Sequence, residues 1–100
     1  MEEWTREQWE ELVKTQDVTA FYLYTPMCGT CMVASQMMEV IEQLLPNVAI
    51  GKANINYLGE FAFDYKVESV PCLLISRDGE VVEKIYAFKS VPNLYEKLKM

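Results

Sequence analysis

The sequence predicts an α/β domain, a mixed β-sheet with helices on both faces. Three observations point there. Apolar residues at helical spacing alternate with short runs of β-branched and aromatic residues from end to end. A strand, a long helix and a second strand follow one another between residues 18 and 55, an order that requires a parallel crossover. Asp78-Gly79 then sits between two apolar runs, the signature of an antiparallel hairpin.

The elements follow in order. A first helix starts after Thr5, whose hydroxyl can accept from the Gln8 amide while the Gln8 side chain reaches back, a capping box. Trp4 and Trp9 hold the two positions of a hydrophobic staple, and Trp9, Leu12 and Val13 share one face. Core packing, not ligand stacking, is the plain reading of both tryptophans. Residues 18–25, VTAFYLYT, form a central strand closed by Pro26. Residues 29–45 are helical: Cys31, Ala34, Met38, Ile41 and Leu45 fall on one side. Met37, Val40 and Leu44 add a second apolar flank, so burial of much of this helix is expected, and Pro46 and Asn47 end it. Residues 48–55 are a second strand. A short helix over 58–66 turns Phe61, Ala62 and Tyr65 inward. Residues 71–76 are a third strand, 77–80 the hairpin turn, and 81–88 the returning strand. Ser90 caps a last helix that tolerates Pro92 in its first turn and packs through Leu94, Tyr95 and Leu98.

Composition limits the function. A chain of 100 residues without repeats, linkers or low-complexity tracts is one domain, 1–100. With 51% hydrophobic and 24% charged residues it has a compact core and is not disordered. The net charge of −6 and the pI near 4.6 argue against nucleic acid and anionic membrane as partners, because no basic cluster displaces counterions. The start, MEEWTREQWEEL, has neither the basic opening nor the apolar run of a secretory signal. No stretch approaches the roughly 18 apolar residues of a membrane span. A cytoplasmic, monomeric protein is therefore expected. Three cysteines cannot all pair, which disfavours a secreted disulfide framework. The absence of histidine removes Ser–His and Cys–His catalysis and the commonest zinc ligand.

The chemistry concentrates in TPMCGTCMVA, residues 25–34. Cys28 and Cys31 could be a redox couple, half of a metal site, or two small core residues. Cys28 falls just before the first turn of a helix, directly after a strand. Free amides there carry roughly half a positive charge and favour a thiolate, lowering the pKa below its free value of about 8.5. Cys31 lies one turn further, within reach of Cys28. An activated first thiol and a resolving second one are what thiol–disulfide exchange needs. Thr25-Pro26 and Gly29 make the lead-in turn, and Gly29 leaves space for a substrate backbone.

With CGTC after an apolar strand, KANIN on the next, VESVPCLLI and then DGEVV, the sequence resembles the thioredoxin family over nearly its whole length. CxxC alone is a moderate signal; followed about forty residues later by Val-Pro and an apolar strand it is a strong one. The resemblance implies a thioredoxin-like three-layer α/β/α fold. It implies a cis Val70-Pro71 peptide packed against the CxxC, with the Val70 backbone free to pair with an extended substrate. Met27 replaces the family's tryptophan and would line an adaptable apolar surface with Gly29, Thr30, Val70 and Pro71. Protein disulfides as substrates, a reductase as electron donor and no cofactor follow from the same likeness.

The sequence also departs from the family. Tyr22 stands where a buried aspartate helps move the proton of the second thiol, while the aspartate's lysine partner persists as Lys52. Lys52 either reaches to solvent or forms a proton route with Tyr22. Gly-Thr between the cysteines, in place of Gly-Pro, tunes the reduction potential and allows a value above the roughly −270 mV typical of thioredoxin. Gln36 replaces a helix proline, so a straighter helix is expected. The segment before the first helix is so short that an N-terminal edge strand should be missing or vestigial, giving four strands, five at most. Cys72 follows the X-Pro: it is either a small buried hydrophobe or a third sulfur that joins Cys28 and Cys31 around zinc or an iron–sulfur cluster. An oxidoreductase, a metal-binding module and a redox-silent interaction domain thus compete. Among Tyr57, Phe61, Phe63, Tyr65, Tyr86 and Phe88, core packing explains most, and one or two mark a partner surface.

Overall fold

Five strands in the order β1-β3-β2-β4-β5 form the central sheet of the computed structural model, which describes residues 1–100. They are β1 (Glu2–Glu3), β2 (Val18–Tyr24), β3 (Ala49–Asn54), β4 (Cys72–Arg77) and β5 (Glu80–Ile85). The helices are α1 (Arg6–Thr15), α2 (Gly29–Leu44), α3 (Phe61–Asp64) and α4 (Val91–Leu98). β2 and β3 pair in parallel, as the crossover through α2 requires, and β2–β4 and β4–β5 pair antiparallel. The thioredoxin-like three-layer arrangement is thus present.

Strand alternation divides the core in two. Ala20, Tyr22, Ile50, Leu73 and Ile75 point to one face, where Ala34, Met38 and Ile41 of α2 and Leu94 and Leu98 of α4 cover them. Phe21, Leu23, Ala53, Cys72 and Leu74 point to the other, covered by Trp9 of α1 and by Phe61 of α3. α1 begins as its sequence requires: the Gln8 amide donates to Thr5 Oγ1 at 3.1 Å and Thr5 N donates to Gln8 Oε1 at 2.8 Å. Both tryptophans lie against Phe21, with ring centroids 5.7 Å away for Trp4 and 5.2 Å for Trp9. Asp78 and Gly79 take positive φ, 54° and 87°, the backbone that the tight hairpin demands.

The N-terminal edge strand is vestigial, the two residues of β1 paired to Gly51 and Lys52, and it is the fifth strand that the sequence allowed. Four details differ from expectation. The helix expected over 58–66 is only the single turn of α3, Phe61–Asp64, and a separate 3₁₀ turn, Ile55–Tyr57, precedes it. The returning strand stops at Ile85, and Phe88 turns back into the core ahead of α4. The second flank of α2 is covered only in part: Met37 packs half-buried against the core, while Val40 and Leu44 remain 45% and 52% exposed. Tyr95 likewise stays at the surface while Leu94 and Leu98 go inside.

Candidate active site

The C-terminal ends of β2 and β3 and the start of β4 lie at one end of the sheet, so the loops that follow or precede them converge there. Thr25 O accepts from Cys28 N at 3.3 Å, which closes the turn through Pro26 and Met27. Cys28 is the N-cap of α2: its Sγ accepts from the amide of Cys31 at 3.2 Å. That amide is one of the unpaired donors of a helix start, and a thiolate at the same place would gain the same hydrogen bond and the field of the helix. The two sulfurs are joined in a disulfide, with the Cα atoms 5.2 Å apart. Cys28 is part-exposed and Cys31 is buried, the asymmetry that an attacking and a resolving thiol need.

The Val70-Pro71 peptide is cis and faces the pair, with Cys28 Sγ 3.9 Å from Val70 O. The backbone of Val70 forms no backbone hydrogen bond within the chain. The hydroxyl of Thr30 lies 3.4 Å from Cys28 Sγ. Met27 is 95% exposed, and a Cβ on Gly29 would meet nothing within 4 Å. Cys28, Cys31, Thr30, Val70 and Pro71 therefore come together around one sulfur, with Met27 and Gly29 on the open side.

Tyr22 and Lys52 are register partners in neighbouring strands, but their polar ends part. Tyr22 is buried beneath α2; its hydroxyl donates to Cys31 O at 2.7 Å and accepts from Ser35 Oγ at 2.9 Å. Burial pushes the phenol above its ordinary pKa, offset in part by the Ser35 bond, so Tyr22 stays neutral around pH 7. Lys52 instead reaches the sheet border: its Nζ is 3.9 Å from Glu3 Oε1 and lies over the Tyr24 ring, 5.6 Å from the centroid. The hydroxyl partner of Tyr22 is thus Ser35, one helical turn beyond Cys31. Only the i, i+4 spacing from Cys31 could have marked Ser35 in the sequence.

Cys72 joins neither sulfur. It pairs with Leu23 and points to the face covered by α1 and α3, opposite α2. Burial pushes its thiol up from 9.0 to about 11, against a hydrogen bond with Tyr86 and the charge of Lys84. No group of three or more Cys, Asp or Glu side chains is placed to hold a metal ion, so Cys28, Cys31 and Cys72 do not assemble as a ligand set. Of the aromatic residues in the second half, Phe61 and Phe88 are buried, Tyr65 and Tyr86 half-buried, and Tyr57 and Phe63 exposed at 85% and 84%. No helix is long and apolar enough to cross a membrane.

Fold and site together define an α/β domain that carries a disulfide-bonded CxxC at the N-terminus of a helix beside a cis X-Pro. The thioredoxin family model matches residues 1–100, and the chain belongs to the thioredoxin family. It is 52% identical over 83 residues to the thioredoxin-like protein YusE of Bacillus subtilis, covering 83% of this chain and 78% of that one. The thioredoxin of Bacillus subtilis is 36% identical over 74 residues, 73% of this chain and 71% of its own. The fold matches a mutant thioredoxin from Halobacterium salinarum with a TM-score of 0.87 at 21% identity, over 99% of this chain and 87% of that one. It matches oxidised mitochondrial thioredoxin 3 from Saccharomyces cerevisiae equally well, with a TM-score of 0.87 at 21% identity over 99% and 93% of the two chains.

Proposed function

We propose that this protein is a thiol–disulfide oxidoreductase of the cytoplasm that reduces or exchanges protein disulfides as a monomer without a cofactor. One observation carries the reading: a part-exposed sulfur caps α2, tied to a buried partner and facing the free backbone of Val70. In the reduced chain, Cys28 as thiolate attacks one sulfur of a substrate disulfide. The Cys28–substrate bond forms, the substrate S–S bond breaks, and the released thiolate takes up a proton. Cys31 then loses its proton and attacks Cys28 Sγ; the Cys28–Cys31 bond forms and the second substrate thiolate leaves. Two electrons pass to the substrate, and an external dithiol, in the cell a reductase-supplied one, returns them.

Met27, Gly29, Thr30, Val70 and Pro71 receive the substrate strand in this reading. The proton of Cys31 leaves without a buried carboxylate beneath it. Tyr22 is neutral and anchors the Cys31 carbonyl to the sheet, with Ser35 as its second partner, while Lys52 ends beside Glu3.

The test is reduction of a protein disulfide with dithiothreitol as donor. Wild type turns over; Cys28→Ser does not; Cys31→Ser accumulates a mixed disulfide visible as an added mass. No turnover in the wild type and no trapped adduct in either variant would end the proposal.

A further inference from the structure

The exchange reading does not say which polypeptides reach Cys28; the charge around Val70-Pro71 does. Two grooves meet at this dipeptide. One, of about 370 Å³, extends toward α2 and the start of α4 and is lined by Thr30, Val33, Met37, Pro71, Phe88 and Lys89. The other, of about 310 Å³, extends toward α3 and is lined by Ile55, Ala62, Val67, Glu68, Ser69 and Val70. Lys89 is the only charged residue lining the first, and Glu68 the only one lining the second. Both side chains are exposed, and neither joins an ion pair within the chain.

Each charge also sits on an anchored backbone. Lys89 has φ 64° and lies between buried Phe88 and the cap of α4, where Ser90 N donates to Phe88 O at 2.8 Å. The amide of Glu68 donates to Tyr86 Oη at 3.1 Å. The remaining groove walls are mostly apolar, and the Val70 backbone between the two charges is unpaired. An extended chain laid over Val70 would put side chains into both grooves at once.

Resting on the exchange reading, we infer that Lys89 and Glu68 select the substrate strand: an extended segment whose disulfide cysteine is flanked by an acidic residue toward α4 and a basic residue toward α3. A segment with the charges reversed meets like charge at both ends. A uniformly acidic or basic one gains at one end and loses at the other, and the acidic one also meets the net charge of −6. For a strand held in one direction by pairing with the Val70 backbone, the two residues thus select the order of charge along it.

Two synthetic peptides of identical length test this. Each carries one central cysteine in a mixed disulfide with 2-mercaptoethanol. One has Asp before and Lys after the cysteine; the other has them exchanged. The reduced wild type should prefer one peptide in kcat/KM by roughly threefold to tenfold at low ionic strength, the range that two exposed charge pairs supply. The preference should fade in about 0.5 M salt. Lys89→Glu combined with Glu68→Lys, which leaves the net charge unchanged, should reverse it, and Lys89→Ala alone should shrink it. Equal rates for the two peptides, or a wild-type preference that survives the exchange, would overturn the inference. So would a dimer in solution that shields both residues from chemical labelling. Failure of the exchange reading is separate: the wild type would then leave the neutral disulfide of 2-mercaptoethanol unreduced.

Discussion

At Cys72 a single thiol lies beside the X-Pro yet is cut off from the Cys28–Cys31 disulfide by the sheet. Its pKa is raised from 9.0 to about 11, chiefly by burial. Between those values the unfolded chain loses a proton that the folded chain keeps, so stability falls as pH rises from about 9 to 11. The full effect is on the order of 2–3 kcal/mol. Urea unfolding midpoints at pH 8.5 and 10.5 should therefore differ less in Cys72→Ala than in wild type, whatever the substitution costs at both values. An equal drop in the two proteins would show that the thiol does not carry the effect. The position of Cys72 beside the X-Pro was legible in the sequence, but its direction was not. That direction depends on pairing with Leu23, which only the strand register provides. Tyr22 is a similar case. Its place in the family pattern was readable, whereas its partner Ser35 depended on how α2 lies over β2.

At the level of elements, local chemistry was the readable part. The Thr5 cap, the Asp78-Gly79 turn, the Ser90 cap and the CxxC at a helix start all arise from contacts a few residues apart. What escaped depended on distant partners. The outer flank of α2 has the spacing of a buried face, but only Met37 meets the core and Val40 and Leu44 stay exposed. β1 is too short to announce itself, and it forms because Trp4 N donates to Lys52 O at 2.9 Å and the indole lies over Gly51. A Cβ at Gly51 would fall inside that ring. Gly51→Ala should thus expel Trp4 from its seat on Phe21 and detach β1, at a cost of roughly 1–3 kcal/mol, typical of overpacking. Denaturant unfolding gives the cost and tryptophan fluorescence reports the exposure. A variant of unchanged stability and emission would mean that Trp4 has another place to go.

For the whole molecule, charge sets encounter rates. With a net charge of −6, reduction of a small disulfide bearing two carboxylates should speed up as salt rises from about 0.01 to 0.2 M, because the screening length shrinks from roughly 30 Å to under 10 Å. Reduction of an uncharged disulfide should stay flat over the same range. Absorbance-monitored initial rates decide it; a decrease with salt for the anionic reagent would mean that the cation of Lys89 governs approach. The borders of the sheet carry a different consequence. β1 is two residues long, and β5 bears Glu80, Glu83 and Lys84 with a register shift opposite Ile75 and Ser76. Neither border gives a neighbouring copy a flat ladder on which to stack. The domain is thereby kept from templating its own fibres, even when crowded.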